Sequence, residues 1–161
     1  MRSIKAKELS AEGFKAYGNY FDMVHPEGNH LGAFYPDHVL MPVSGQMPIG
    51  FSALASAKPE KMIITAAEYH NTTPEGILAL DDDIVLHVAP PSTTPVPHLT
   101  EAFIVPRGTM VVLKTGVWHL APLPIHNEVV HVLITLPERI YFNDCTVVDY
   151  KEEEYFEITL A

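Results

Sequence analysis

Short apolar runs, bounded by proline, glycine or acidic residues, follow one another along most of the chain. Runs of this length, rich in β-branched residues, predict strands over 62–67, 77–80, 84–89, 101–105, 109–113, 129–136 and 145–150. A helix is predicted only near the start, where Ser10 can cap a short turn that ends at Gly18. Asp81, Asp82 and Asp83 separate two of the strands and predict a hairpin turn. With its fourteen prolines, the pattern predicts an all-β barrel or sandwich with a short N-terminal helix.

Length and composition narrow the class of protein. The 161 residues suit one domain, 1–161, and the formal net charge of -10 argues against a nucleic-acid surface, which needs a basic face. The sequence has no apolar run of about 18 residues for a membrane span, and its basic N-terminus lacks the apolar stretch of a signal peptide. The single cysteine, Cys145, excludes an internal disulfide and fits a reducing cytoplasm. We therefore expect one cytoplasmic domain with no nucleic-acid or membrane partner.

The first candidate site is the stretch Glu68-Tyr69-His70, with Glu75 following after a turn. Residues two apart on a strand point to the same face, so Glu68 and His70 lie together and Glu75 can return toward them. Two carboxylates and one imidazole can hold a divalent metal such as Zn, Mn, Fe or Ni. Taken alone, the stretch is also typical of polar residues on an exposed strand face.

The second candidate site is the stretch Gly108-x5-Lys114-x-Gly116-x2-His119. Its glycines allow tight turns with positive φ, and His119 then opens a strand behind Trp118. Taken alone, a single histidine beside a tryptophan is also typical of a core or surface position. The two stretches become informative when they are considered together.

Together the two stretches resemble the two sequence motifs of the cupin superfamily. The run Glu68-x-His70-x4-Glu75 corresponds to the first cupin motif, in which His-x-His is followed by three or four residues and then by Glu. The second stretch corresponds to Gly-x5-Pro-x-Gly-x2-His, with Lys114 in place of proline. The spacing matches at every step. The resemblance implies a double-stranded β-helix, the cupin-type jelly-roll barrel, and a divalent metal held by Glu68, His70, Glu75 and His119.

A longer part of the chain is similar to the ureidoglycolate lyase family of cupins, which split ureidoglycolate into glyoxylate and urea. The matching stretches are 9–18, Glu68-x-His70, Ala102-Phe103, Val117-Trp118-His119 with Pro122, and Asn143-Asp144-Cys145. The family usually has Gln where this chain has Glu75. It also has an arginine on a strand in the region 51–57, where the nearest residue of this chain is Ser56. A serine cannot pair a carboxylate with two parallel hydrogen bonds, as an arginine does.

The family resemblance implies a carbon–nitrogen lyase of purine catabolism that needs no organic cofactor. In that reaction we expect His119 or Glu75 to act as the base when no metal is bound. In place of the missing arginine, we expect Lys114 to be the catalytic and substrate-binding cation that pairs with the charge of the small-molecule substrate. His131 lies on the strand 129–136 and is either packed in the core or placed beside the substrate.

Other functions are compatible with the same motifs. Glu75 in place of Gln restores the metal-binding acid typical of cupins, and so favours a metal-dependent cupin enzyme of another kind, such as a sugar isomerase or a dioxygenase. A non-catalytic cupin that binds a small acid or sugar is the third alternative. Small barrels leave an edge strand that must be covered, so we also expect a homodimer in which the N-terminal segment adds to a partner's sheet.

Overall fold

A computed structural model describes residues 1–160, which form fifteen strands and two short helices. The strands are β1 (Arg2–Lys5), β2 (Lys7–Glu8), β3 (Gly18–Asp22), β4 (Ile49–Ala57), β5 (Ile63–Ile64), β6 (Ala66–Tyr69), β7 (Glu75–Ala79), β8 (Ile84–Ala89), β9 (Glu101–Val105), β10 (Thr109–Leu113), β11 (Trp118–His119), β12 (Leu123–Pro124), β13 (Val129–Pro137), β14 (Thr146–Asp149) and β15 (Phe156–Thr159). The helices are α1 (Ala11–Phe14) and α2 (Ile140–Asn143), and 3-10 turns span Pro97–Leu99 and Glu152–Glu154. The prediction of an all-β chain with a short N-terminal helix is confirmed.

The strands form three sheets. The five-stranded sheet has the order β3-β10-β7-β13-β4. The seven-stranded sheet follows the path β14-β6-β11-β8-β9-β2, with β12 also paired to β8, and the three-stranded sheet has the order β1-β15-β5. Within residues 1–160 no path of paired strands closes on itself, so the sheets face one another without forming a hydrogen-bonded barrel.

Two apolar clusters arrange the sheets in layers. The first fills the space between the five- and seven-stranded sheets, where Ile77 and Val132 of one meet Leu86 and Phe103 of the other. The second lies on the opposite face of the seven-stranded sheet and includes Phe156 of β15. The seven-stranded sheet is therefore the middle layer, covered on both faces.

The central strand β8 shows this double coverage in its sequence. All six of its residues are buried. Ile84, Leu86 and Val88 belong to the first cluster, and Val85 and Ala89 to the second. A continuous apolar run of this kind is typical of a strand covered on both faces.

All seven predicted strands are confirmed within two residues of their ends, the first of them divided into β5 and β6. Ser10 caps α1 as predicted, since its side chain accepts a hydrogen bond from the backbone of Gly13. Prediction missed the short strands and β4, whose glycine, serine and alanine residues give no clear period.

The N-terminal segment pairs within its own chain, β1 with β15 and β2 with β9. None of the helices described is long and apolar enough to cross a membrane.

The predicted hairpin at the acidic turn after β7 is wrong, because β7 and β8 belong to different sheets. The turn instead carries the chain from one sheet to the other and anchors a loop. The buried Asp82 accepts backbone hydrogen bonds from Ile125, His126 and Asn127 at 3.1, 2.9 and 2.9 Å. Burial raises the pKa of Asp82, but these N–H donors outweigh it and the pKa is lowered overall.

We expect Asp82→Ala to lower the free energy of unfolding by about 3 kcal/mol, because three backbone donors lose a charged acceptor. The neighbouring Asp83 is more exposed and accepts one backbone hydrogen bond, from Arg107. Asp83→Ala is therefore the matched control, with an expected loss of about 1 kcal/mol. Urea unfolding of both variants measures the difference, and equal losses would contradict the anchoring role of Asp82.

Candidate functional site

Two motifs that are distant in the sequence meet on the inner face of the seven-stranded sheet. Glu68 on β6 and His119 on β11 are directly opposed in the antiparallel pairing of the two strands. Opposed residues on paired strands present their side chains on the same face, so Glu68 and His119 lie side by side. His70 follows β6 directly, and Glu75 enters from the first position of β7 in the facing five-stranded sheet. The four side chains thus come from both sheets.

The buried carboxylate of Glu75 lies at the centre of the cluster. Its Oε2 atom is 2.8 Å from the Nε2 atom of His70 and 2.8 Å from the Nε2 atom of His119. The Oε1 atom of Glu68 lies 3.9 Å from the same His119 nitrogen. Glu68, His70 and His119 each offer one ligand atom, and these atoms lie within 4.8 Å of one another. The predicted convergence of the two motifs is what the structure shows.

Backbone carbonyls fix the tautomers of both histidines. The Nδ1 atom of His70 lies 2.8 Å from the carbonyl oxygen of Asp144, and that of His119 lies 2.9 Å from the carbonyl oxygen of Val117. A carbonyl oxygen only accepts, so each Nδ1 carries a proton and donates it. Both Nε2 atoms therefore turn toward the carboxylates. This is the arrangement of metal-binding histidines, whose other nitrogen donates to a carbonyl or carboxylate.

Charge and burial shift the pKa values of the cluster strongly. Burial raises the pKa of Glu75, but the two imidazoles outweigh it and lower the pKa to about 2. Burial lowers the pKa of His119, but the charge of Glu75 and its hydrogen bond outweigh it and raise the pKa to about 9. The pKa of His70 is also raised, since contact with Glu75 outweighs burial. Without a metal, Glu75 is thus ionised beside a protonated His119, and its contact with His70 favours the protonated form of that imidazole as well.

The cluster fits a divalent cation in charge as well as in ligand type. The carboxylates of Glu68 and Glu75 can offset the charge of a divalent cation. Such a cation would replace the proton on the Nε2 atom of His119, which now faces Glu75. Two imidazole nitrogens with carboxylate oxygens suit Zn, Mn, Fe or Ni. Glu68, His70, Glu75 and His119 are therefore the residues that could hold the metal.

The cluster forms the polar end of a cavity of about 350 Å³. Most of the remaining wall is apolar and includes Leu54, Pro122, Ile134 and Leu136. The exposed lining residues are Ser52 and Ala53 on β4 and Glu138, Arg139 and Tyr141 on the segment after β13. The rim of the cavity is therefore formed by an edge strand on one side and by this segment on the other.

Two residues predicted to bind substrate lie outside the cavity. Lys114 is exposed, and its Nζ atom donates to the backbone carbonyl of Lys15 at 2.6 Å. His131 is exposed on β13 and pairs with the carboxylate of Asp81. Neither residue contributes to the cavity wall, so the structure does not support Lys114 or His131 as substrate-binding residues. His131 is also not packed in the core.

The structure places three residues at the site to which the sequence gave no role. Arg139 lines the rim with a positive φ of 66°, and it follows the end of β13. Asp144 positions His70 through its carbonyl oxygen and holds the following turn through hydrogen bonds from the backbone of Asn71 and Thr72. Cys145 lines the cavity and donates to Glu68 at 3.3 Å. Only the segment 143–145 had a signal in the sequence, as part of the family resemblance.

The chain matches no protein-family model and no curated protein. What the site can do is therefore inferred from its own residues, from their geometry and from the spacing of the two motifs.

We expect His119→Gln to weaken Zn²⁺ binding at least tenfold, because the substitution removes one of the two imidazole ligands. His131→Gln is the matched control, since this exposed imidazole lies outside the cavity and its loss should leave Zn²⁺ affinity unchanged. Competition against a chromophoric zinc chelator measures both affinities, and thermal melting shows that each variant is folded. Equal affinities in wild type and His119→Gln would exclude His119 as a ligand.

We also expect Zn²⁺ affinity to rise with pH between about pH 6 and pH 9. The proton on His119 has a pKa raised to about 9, so metal competes with this proton below that pH. Binding therefore releases protons, and the calorimetric enthalpy should differ between buffers with different ionisation enthalpies. An enthalpy independent of the buffer would show that no proton leaves the site.

Proposed function

We propose that the chain is a cupin-type, divalent-metal-dependent carbon–nitrogen lyase that cleaves ureidoglycolate or a related small hydroxy acid. The observation that carries the proposal is the convergence of Glu68, His70, Glu75 and His119 at the end of a cavity. The cupin resemblance implies this ligand set from spacing alone. Two facing sheets with the cluster between them support a jelly-roll of the cupin type.

The reaction requires one proton transfer and one bond cleavage. The substrate hydroxyl loses its proton, the carbon–nitrogen bond breaks, and the leaving nitrogen gains a proton to give urea and glyoxylate. In the proposal His70, Glu75 and His119 would hold a divalent metal, which would lower the pKa of the hydroxyl and leave Glu68 to act as the base. In our proposal Glu68 accepts the hydroxyl proton and returns it to the leaving nitrogen, so that protons balance.

Burial separates the roles of the two carboxylates. Glu75 is 6% exposed, and one of its oxygens contacts both imidazoles. In the proposal Glu75 is a metal ligand together with the two histidines. Glu68 is half-buried and lines the cavity, and its Oε2 atom accepts a hydrogen bond from the Cys145 thiol. Burial, together with the charge and hydrogen bond of Glu68, raises the pKa of this thiol to about 12, so the thiol stays protonated. Glu68 is therefore the carboxylate that can exchange a proton with a substrate.

Arg139 takes the role of substrate anchor in this proposal. It is the one lysine or arginine among the described residues that line the cavity, and its Nε atom lies 3.5 Å from the exposed carboxylate of Glu138. Its guanidinium can pair a carboxylate with two parallel hydrogen bonds, which neither Lys114 nor a serine on β4 can do. An arginine at the rim thus supplies the positive charge that the family resemblance places in the region 51–57.

The apolar walls of the cavity favour one alternative to the ureidoglycolate lyase. Ureidoglycolate is small and polar, whereas Leu54, Ile134 and Leu136 offer apolar contacts. An acid with an apolar body fills such a cavity better, which supports a metal-dependent cupin enzyme of another kind, such as a dioxygenase. The polar hydroxyls of a sugar find few partners on these walls, which disfavours the sugar isomerase.

We expect the metal-loaded protein to release glyoxylate from ureidoglycolate and Arg139→Met to raise KM at least tenfold, because the carboxylate loses a charged partner. Lys114→Met is the matched control and should leave kcat and KM unchanged, since Lys114 lies outside the cavity. A colorimetric glyoxylate assay after loading with Zn²⁺, Mn²⁺, Fe²⁺ or Ni²⁺ measures these values. Absence of glyoxylate with every metal would reject the lyase and leave the apolar-acid alternative. An unchanged KM in Arg139→Met would reject the role of Arg139 as the substrate anchor.

A further inference from the structure

The reacting carbon of the proposed substrate bears a hydroxyl, a carboxylate and a group linked through nitrogen, and each needs a place in the cavity. In the proposed reaction the hydroxyl lies beside Glu68 at the polar end, and the carboxylate pairs with Arg139. The group beyond the leaving nitrogen then lies along the part of the wall that remains. In ureidoglycolate this group ends in an NH2. The chemistry of the remaining wall therefore indicates whether an NH2 is the best match.

The remaining wall is apolar and continues into the core. Ile134 and Leu136 lie two apart on β13 and line the cavity, and Leu54 of the neighbouring β4 lines it with them. Ile134 and Leu54 also pack against the first apolar cluster. The buried Pro122 adds a further apolar surface. These side chains suit a hydrocarbon group and offer no acceptor to an N–H donor.

The other polar side chains of the lining lie elsewhere. Cys145 is beside the metal-binding cluster and donates to Glu68, and Ser52, Glu138 and Tyr141 are exposed at the rim. An NH2 group placed against the apolar wall loses its water and gains no partner, which is costly. An alkyl or aryl group in the same place gains free energy from burial. A hydrocarbon group is therefore the better match to this wall.

The size of the cavity also allows a larger group than NH2. Pockets that hold drug-sized ligands have volumes of roughly 300–1,000 Å³. The cavity, at about 350 Å³, lies within this range. An acyl group of several carbons thus has room beside the hydroxyl and the carboxylate.

We propose that the substrates are N-acyl-α-hydroxyglycines with an apolar acyl group, of which ureidoglycolate is the polar, carbamoyl counterpart. This inference rests on the proposed lyase activity and names its substrate class. The chemical step is the same: the hydroxyl proton passes to Glu68, the carbon–nitrogen bond breaks with its electron pair on nitrogen, and Glu68 returns the proton to that nitrogen. The hydroxyl oxygen becomes the aldehyde oxygen of glyoxylate. The second product is a primary amide in place of urea.

A comparison of two ligands that cannot be cleaved tests the wall separately from the reaction. Hippurate (N-benzoylglycine) and hydantoate (N-carbamoylglycine) lack the hydroxyl and differ only in a phenyl group against an NH2. Hippurate should bind at least about tenfold more tightly, because its ring is buried against the apolar wall. Isothermal titration of the wild type, with and without Zn²⁺, measures both affinities. Equal affinities, or tighter binding of hydantoate, would overturn the substrate class whether or not the protein is a lyase.

Two neighbouring positions on β13 provide a variant and its matched control. Ile134 and Leu133 are both half-buried, but only Ile134 lines the cavity. Threonine suits a strand at either position and replaces apolar surface by a hydroxyl. Ile134→Thr should lower the preference for hippurate over hydantoate about fivefold, and Leu133→Thr should leave it unchanged. An unchanged preference in Ile134→Thr, or an equal loss in both variants, would contradict the role of the wall. The wild-type comparison decides the proposal even if Ile134→Thr fails to fold.

Turnover separates the substrate class from the lyase activity itself. After metal loading, N-benzoyl-α-hydroxyglycine should release glyoxylate with a kcat/KM at least about tenfold above that of ureidoglycolate, since the acyl group contributes binding in the transition state. A higher kcat/KM for ureidoglycolate would confirm a lyase and overturn the apolar substrate class. Glyoxylate from neither compound would reject the lyase and this substrate class with it. A preference for hippurate would in that case assign the cavity to an apolar acid of another reaction.

Discussion

The contact of one buried carboxylate with two imidazoles is the interaction on which the site depends. Glu75 comes from the five-stranded sheet, and His70 and His119 from the seven-stranded sheet, so the contact joins the two layers. A buried charge is stable only with partners, which the two rings supply. The carbonyls of Asp144 and Val117 hold the rings from behind. The Nε2 atoms of both rings therefore face the carboxylate, where a divalent cation could take the place of the proton between them.

The layered fold explains why this polar cluster is so rigidly placed. The seven-stranded sheet has an apolar cluster on each face, and β11 contributes one side chain to each side: Trp118 packs outward and His119 points inward. Trp118 also contacts Tyr69, the residue between Glu68 and His70, with ring centroids 4.6 Å apart. Packing of the aromatic pair on the outer face therefore positions the strand residues on the inner face that could hold a metal.

The sequence by itself determined the apolar strands and the residues of the candidate site that share a face. Period-two alternation fixes which residues share a face, so Glu68 and His70 had to lie together and Tyr69 apart. Most strands were predictable because each is a short apolar run between prolines or glycines. Positive φ at Gly108 and Gly116 was predictable from the second motif and is confirmed. The convergence of both motifs followed from their spacing, through the resemblance to cupins.

Only the tertiary structure decided which face of each strand is covered and which loop residues reach the cavity. Alternation groups His131 with its neighbours on β13 but does not say whether that face is covered, and the structure leaves His131 exposed. Lys114 sits within a motif, yet the direction of its side chain depends on the turn, which points it to the carbonyl of Lys15. Arg139 and β4 gave no periodic signal, because one lies in a turn and the other is built of small residues. Their positions at the rim arise from contacts between segments far apart in the chain, which local pattern does not encode.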